Sequence, residues 1–350
     1  MAFAAALLFM SEPAAGKSIL PWLGGTPAAW GTALIFFQAA LIVGYGIVDL
    51  SWRRAGARGL AVAHALVVAA AALALLLGPP FNHVGPPAEA TFTATFTLLS
   101  LQIGLPIVAL ALTAPSLQAR RAALIGDQGA AGYTLYAASN TGSLLGLLAY
   151  PWLIEPLLPL SRQWGLWRFG FWIFAALVIG LWASAWQRLP RTGRLVDSSP
   201  GVSRQARARW VARAAIPAAL LAAVTSYLTR DLAPIPLLWV IPLALYLGTW
   251  IVAFSGSARP FIERLSRVQD LVAVVAAMIF LIQPSVLIGA VIALVAMVLV
   301  GLVQHGALAQ SAPAESELGR FYVWLAVGGT LGTFLVVVVA PALSPVPIEA

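Results

Sequence analysis

"GTALIFFQAALIVGYGIVDLSWRRAGARGLAVAHALVVAAAALALLLG", residues 31–78, decides the class of fold. Two continuous apolar runs flank one short basic loop, and about 20 apolar residues in a helix suffice to cross roughly 30 Å of hydrocarbon. The runs are continuous and do not alternate in short strands of about 10 residues, which argues against a membrane barrel. The same pattern recurs along all 350 residues, of which 61% are hydrophobic and only 9% charged. Mean hydropathy is +0.92, whereas a soluble domain carries about a quarter charged residues. The chain reads as an all-α polytopic membrane protein.

Eleven spans are predicted: 2–22, 29–50, 60–79, 91–114, 132–153, 168–187, 213–229, 235–254, 268–282, 285–304 and 319–343. If they alternate, the arginines of "SWRRAGARG", "QARRA", the 188–213 loop and "SARPFIERLSR", together with Arg320, all fall on one side. Arg162, Arg168 and Arg230 fall on the other. Basic residues concentrate in cytoplasmic loops, so the N-terminus is expected in the cytoplasm, at the bacterial inner membrane. The net charge of +8 is thereby a matter of orientation and not of nucleic-acid binding.

The Arg/Ser/Pro-rich stretch 188–212 reads as a basic cytoplasmic linker. It separates an N-terminal six-helix bundle, 1–187, from a C-terminal five-helix bundle, 213–350. An internal echo agrees with two halves. "YAASNTGSLLG" and "YVWLAVGGTLG" share the spacing of Tyr136, Gly142 and Gly146 with Tyr322, Gly328 and Gly332. "PAAW" at Pro27–Trp30 likewise matches "PLLW" at Pro236–Trp239. The pairing is that of parallel major-facilitator-like repeats, and the four glycines read as faces for close helix packing.

Ionisable groups inside a span are expensive and point to function. "SEPAAGKSILPWLGG" puts Glu12, Pro13 and Lys17 into the first span. Pro13 lacks a backbone donor, so this helix is expected to be bent or interrupted, with both charges turned inward. "YLTRDLAPIPLLW" brings Tyr227, Arg230, Asp231 and Trp239 to one junction, and Tyr136 and Asn140 are candidates to line a cavity. Lys17 also reads as snorkelling to the surface, and Glu155 as solvated.

The chain has no cysteine, and its three histidines lack ligand spacing, so neither a metal site nor a thiol chemistry is predicted. No Walker loop, dinucleotide fingerprint, nucleophile elbow or HExxH is present, and no cofactor is expected.

The segments "EPAAGKSILPWLGGTPAAWGTALIFFQAALIVGY", "GLPIVALALTAPSLQ", "YTLYAASNTGSLLGLLAYPWLIEP", "RDLAPIPLLWVIPLALYL" and "RFYVWLAVGGTLGTF" resemble the membrane portion of bacterial fused major-facilitator/spermidine-synthase-like proteins. Such proteins typically carry a further soluble domain resembling aminopropyltransferases, which move an aminopropyl group from decarboxylated S-adenosylmethionine to a diamine. The sequence to Ala350 holds the transporter-like part and no nucleotide-binding domain. The resemblance implies the transporter-like part and not the catalytic one. Taken with the charged residues, the reading is binding or transport of a small charged solute, a polyamine-like cation first, with Glu12, Asp231 and Glu155 as countercharge and an anion held by Lys17 and Arg230 as the other version. The alternative reading is a non-transporting membrane anchor that recruits a separate synthase through the basic loop, around Arg204, Arg207 and Arg209.

Overall fold

The computed structural model describes residues 1–23, 27–81, 91–125, 130–190, 202–231, 236–255, 258–271, 274, 278, 285–313 and 318–343. Among them no strand occurs. Helix α1 is Ala2–Leu23. A helical stretch, Pro27–Ala74, is broken at Gly56 into α2 (27–55) and α3 (57–74). Gly56 has φ 62, a left-handed backbone that favours glycine, and it turns the chain within the basic loop. Next come α4 (Phe92–Ile125), α5 (130–157) and α6 (Leu160–Ala185). The remainder holds α7 (Arg204–Asp231), α8 (Pro236–Phe254), the short α9 (Arg259–Ser266), α10 (Val286–Gln310) and α11 (318–343). The expected span 268–282 lies largely outside the described residues.

These helices belong to an integral membrane protein, and α6 shows why. Trp164, Trp167, Phe171, Phe174, Val178 and Trp182 recur at helical spacing and are buried. The opposite face presents Leu166, Phe169, Ile173 and Leu177, all exposed. A helix apolar on both faces is stable only when its outward face meets lipid. The buried indoles satisfy their N–H groups within the bundle: Trp164 donates to Ser18 Oγ at 2.9 Å and Trp167 to the Leu7 carbonyl at 2.8 Å.

Two expectations are corrected. Helix α1 is not interrupted but runs unbroken through Pro13 and Pro21. Flanking hydroxyls engage its carbonyls, Ser11 on Leu8 at 2.6 Å and Ser18 on Ala14 at 2.7 Å, and neighbouring helices enclose it. Residues 204–212 are helical instead of linker. Ser203 Oγ accepts from Ala206 N at 3.1 Å as a cap, and the buried Trp210 packs edge-on against Phe321. Residues 191–200 lie outside the described residues.

Close packing within each half follows one plan. A methyl added at Gly142 or Gly146 on α5 would strike the backbone of Ala2 or Ala6 on α1. One added at Gly328 or Gly332 on α11 would strike the backbone of Val211 or Ala215 on α7. The same four-residue step joins the same kind of pair twice, as small-residue interfaces do in lipid. Between the halves, α2 packs on α11 and α5 on α8.

Candidate functional site

A cavity of about 260 Å³ lies where α1, α2, α4 and α5 face α7, α8 and α11. Its lining stops at Glu12 on α1 and begins at Leu34 on α2, so it occupies the half of the bundle nearer the chain's first residue. Beyond it the halves close on each other. Gly31 meets the Val337 side chain, and Leu147 packs into a cluster with Leu221, Val224 and Leu243. Near the mouth, Tyr45 and Tyr322 approach across the seam with ring centroids 5.7 Å apart. Outside them a second cleft, about 390 Å³, is lined by Asp49, Arg53, Arg207, Arg320 and Trp324.

Glu12 is the one charged side chain lining the cavity among the described residues. It is 5% exposed and makes no hydrogen bond or ion pair among them. Pro13 leaves the carbonyl of Phe9, also on the cavity wall, without its usual helical donor. Three cavity-lining amides are also unsatisfied: Gln38 Oε1, Gln118 Oε1 and Asn140 Nδ2 are buried with no partner among the described residues. Natural proteins pair nearly all such atoms. Three unpartnered amides, a proline-freed carbonyl and a buried carboxylate around one hollow mark it as a place for a polar ligand.

The aromatic wall comes from the second half. Tyr246 and Trp250 line the cavity, and His305 of α10 holds both from behind. Its ring stacks on Trp250 at 3.9 Å between centroids and meets Tyr246 edge-on at 5.1 Å. Its Nδ1 lies 2.8 Å from Thr249 Oγ1, whose own proton goes to the Tyr246 carbonyl. His64 is a packing residue: Trp182 Nε1 donates to its Nδ1 at 3.1 Å, and Thr113 Oγ1 lies 3.3 Å from its Nε2.

Of the residues singled out in the sequence, Glu12 and Asn140 meet at the cavity. Lys17 does not line it. It pairs with Glu155 at 2.7 Å, joining α1 to α5 away from the mouth, so Glu155 is bound and not merely solvated. Both partners are about a quarter to a third exposed (31% and 25%), and such pairs contribute roughly 1 kcal/mol or less. Lys17→Met is therefore expected to lower the melting temperature only slightly and to leave cation binding unchanged, as ligand titration of the purified variant would show. Tyr227 donates to the Val286 carbonyl at 3.3 Å and stands off the cavity. Arg230 is exposed and likewise absent from its lining. The side chains of Tyr136, Asp231 and Trp239 lie outside the described residues.

Gln118, Tyr45, Tyr246 and Trp250 were not among the sequence candidates. The signal available was the spacing of Leu34, Phe37, Gln38, Leu41 and Tyr45 along one face of α2. Gln102, also polar within a span, is structural: its Oε1 accepts from Phe81 N at 2.9 Å. No group of three or more His, Cys, Asp or Glu able to hold a metal occurs among the described residues.

The internal echo extends to the cavity itself. In the register set by the two glycine contacts, Glu12 of α1 corresponds to Leu221 of α7, and both line the cavity. Gln38 corresponds to Leu247, Leu41 to Trp250 and Phe37 to Tyr246, and all six line it. Ser139, Asn140 and Ser143 correspond to Leu325, Ala326 and Gly329, again all on the wall. The cavity is a repeat folded onto itself, polar on one side and apolar or aromatic on the other.

No protein-family model matches the chain, and no curated protein matches it. Among solved structures, it is similar to the crystal structure of a bacterial homologue of the iron transporter ferroportin, in an outward-facing state with soaked iron. The superposition covers 99% of this chain and 92% of that one, at TM-score 0.56 and 15% identity. A likeness at that identity concerns the backbone: this chain has the fold of a polytopic helical membrane protein whose two helix bundles enclose a central cavity.

Proposed function

We propose that the protein binds a small organic cation in this cavity and carries it across the bilayer. One observation supports the reading above the rest: a buried carboxylate, Glu12, facing a ligand-sized hollow with no partner among the described residues. An unpaired charge in low dielectric is costly, and an arriving cation offsets that cost. The carbonyl oxygens of Gln38 and Gln118 can accept from an ammonium, and the rings of Tyr246 and Trp250 offer cation–π faces. Lys17 and Arg230 stand off the cavity, so the anionic version has no basic side chain to hold it among the described lining. Iron, the ion soaked into that ferroportin homologue, would want several carboxylate or imidazole ligands, and among the described residues this wall has one carboxylate and no histidine.

The family resemblance implies a polyamine, one ammonium of which would meet Glu12 while its others would find no second carboxylate among the described lining. Carriage would follow from rocking of one bundle on the other, opening the seam at Gly31 and Val337 while the mouth at Tyr45 and Tyr322 closes. Uptake of labelled spermidine and labelled hexylamine into proteoliposomes tests the reading. Saturable flux of either, lost in Glu12→Gln, supports it. No flux of any cation, or flux unchanged in Glu12→Gln, removes it.

A further inference from the structure

We infer that the cargo has a single cationic head and an apolar body, and that the carboxylate absent at Leu221 sets this preference against diamines. The inference rests on the cation reading and narrows it. The repeat doubles the cavity wall, so a ligand with two ammonium groups would find two equivalent positions, one per half. Only one of them holds a carboxylate. At the position matching Glu12 stands Leu221, 2% exposed and packed with Val224, Leu228 and Leu243.

The replacement is systematic. The second half puts Leu247 where the first has Gln38, Leu325 where it has Ser139, and Ala326 where it has Asn140. The exceptions carry a polar group on a ring, Tyr246 with its hydroxyl for Phe37 and Trp250 with its indole N–H for Leu41. Neither supplies a countercharge. A second ammonium lodged against this wall would lose its hydration with only the rings of Tyr246 and Trp250, and no anion among the described lining, to meet it, a penalty above that of a misplaced methylene. An alkyl or aryl tail in the same place gains by burial against leucine and indole. Charge thus belongs to the first half and apolar contact to the second.

A matched pair of probes isolates the claim: hexylamine and hexamethylenediamine, of equal chain length and fully protonated at neutral pH. Equilibrium binding to the purified full chain in nanodiscs is expected to favour hexylamine by about tenfold or more. Leu221→Glu, which restores the missing carboxylate, is expected to reverse the order, and Leu221→Gln to leave it as in the native chain. Equal or tighter binding of the diamine by the native chain overturns the inference whatever the variants do. Should Leu221→Glu fail to fold, the native ordering alone still decides. Binding of neither probe, with Glu12→Gln indistinguishable from native, would overturn the cation reading, a separate failure from loss of selectivity.

Discussion

Glu12→Gln is expected to lower cation affinity by about a hundredfold and, in the same molecule, to raise stability by roughly 1 kcal/mol. The first effect follows because removing one member of a buried charge pair costs about 2–5 kcal/mol of binding. The second follows because Glu12 is buried without a partner among the described residues, and the neutral amide relieves that burden. Opposite signs for function and stability are what a binding residue gives and a packing residue does not. Labelled hexylamine binding and a thermal melt of the ligand-free protein read the two effects independently. Unchanged affinity with a lower melting temperature would make Glu12 a structural residue.

Gly146→Val is expected to cost about 3 kcal/mol or abolish accumulation of folded protein, because its new atoms meet backbone and not movable side chain. The obstructing atoms are the Ala6 carbonyl oxygen, carbonyl carbon and Cα, so α5 and α1 must separate. Gly332→Val should behave the same way against Ala215 in the other half. Gly180 on α6 is the control: a methyl there meets nothing within 4 Å, and Gly180→Val should match the native chain. Size-exclusion profiles in mild detergent and melting curves distinguish the three.

Helices were legible in the sequence because hydropathy is local: each apolar run declares its own span whatever packs beside it. Gly142, Gly146, Gly328 and Gly332 were legible too, since spacing survives without coordinates. Glu12 stood out by its cost in an apolar run. Lys17 was ambiguous, because its partner Glu155 lies far along the chain and only the docking of α1 on α5 brings them together. The neutral part of the cavity was harder still. Gln38, Gln118 and Tyr246 sit on three different helices, and uncharged polar residues in spans more often bond a neighbouring helix than a ligand. Leu221 carries no sequence signal at all. A leucine among leucines acquires meaning only once the two halves are overlaid.

The seam between the halves is held by unlike forces at its two ends. Gly31 with Val337, and Leu147 among Leu221 and Val224, make a dry seal of aliphatic groups. At the mouth stand Asp49, Arg53, Arg207 and Arg320, where dissolved ions can reach. Electrolyte acts across a Debye length of about 8 Å at physiological strength, so it modulates the mouth and leaves the seal untouched. Cooling weakens aliphatic association and has little such hold on the charged end. In the proposed rocking of one bundle on the other, the balance between the two ends is therefore tuned by the surroundings, ionic from one end and thermal from the other, before any cation binds.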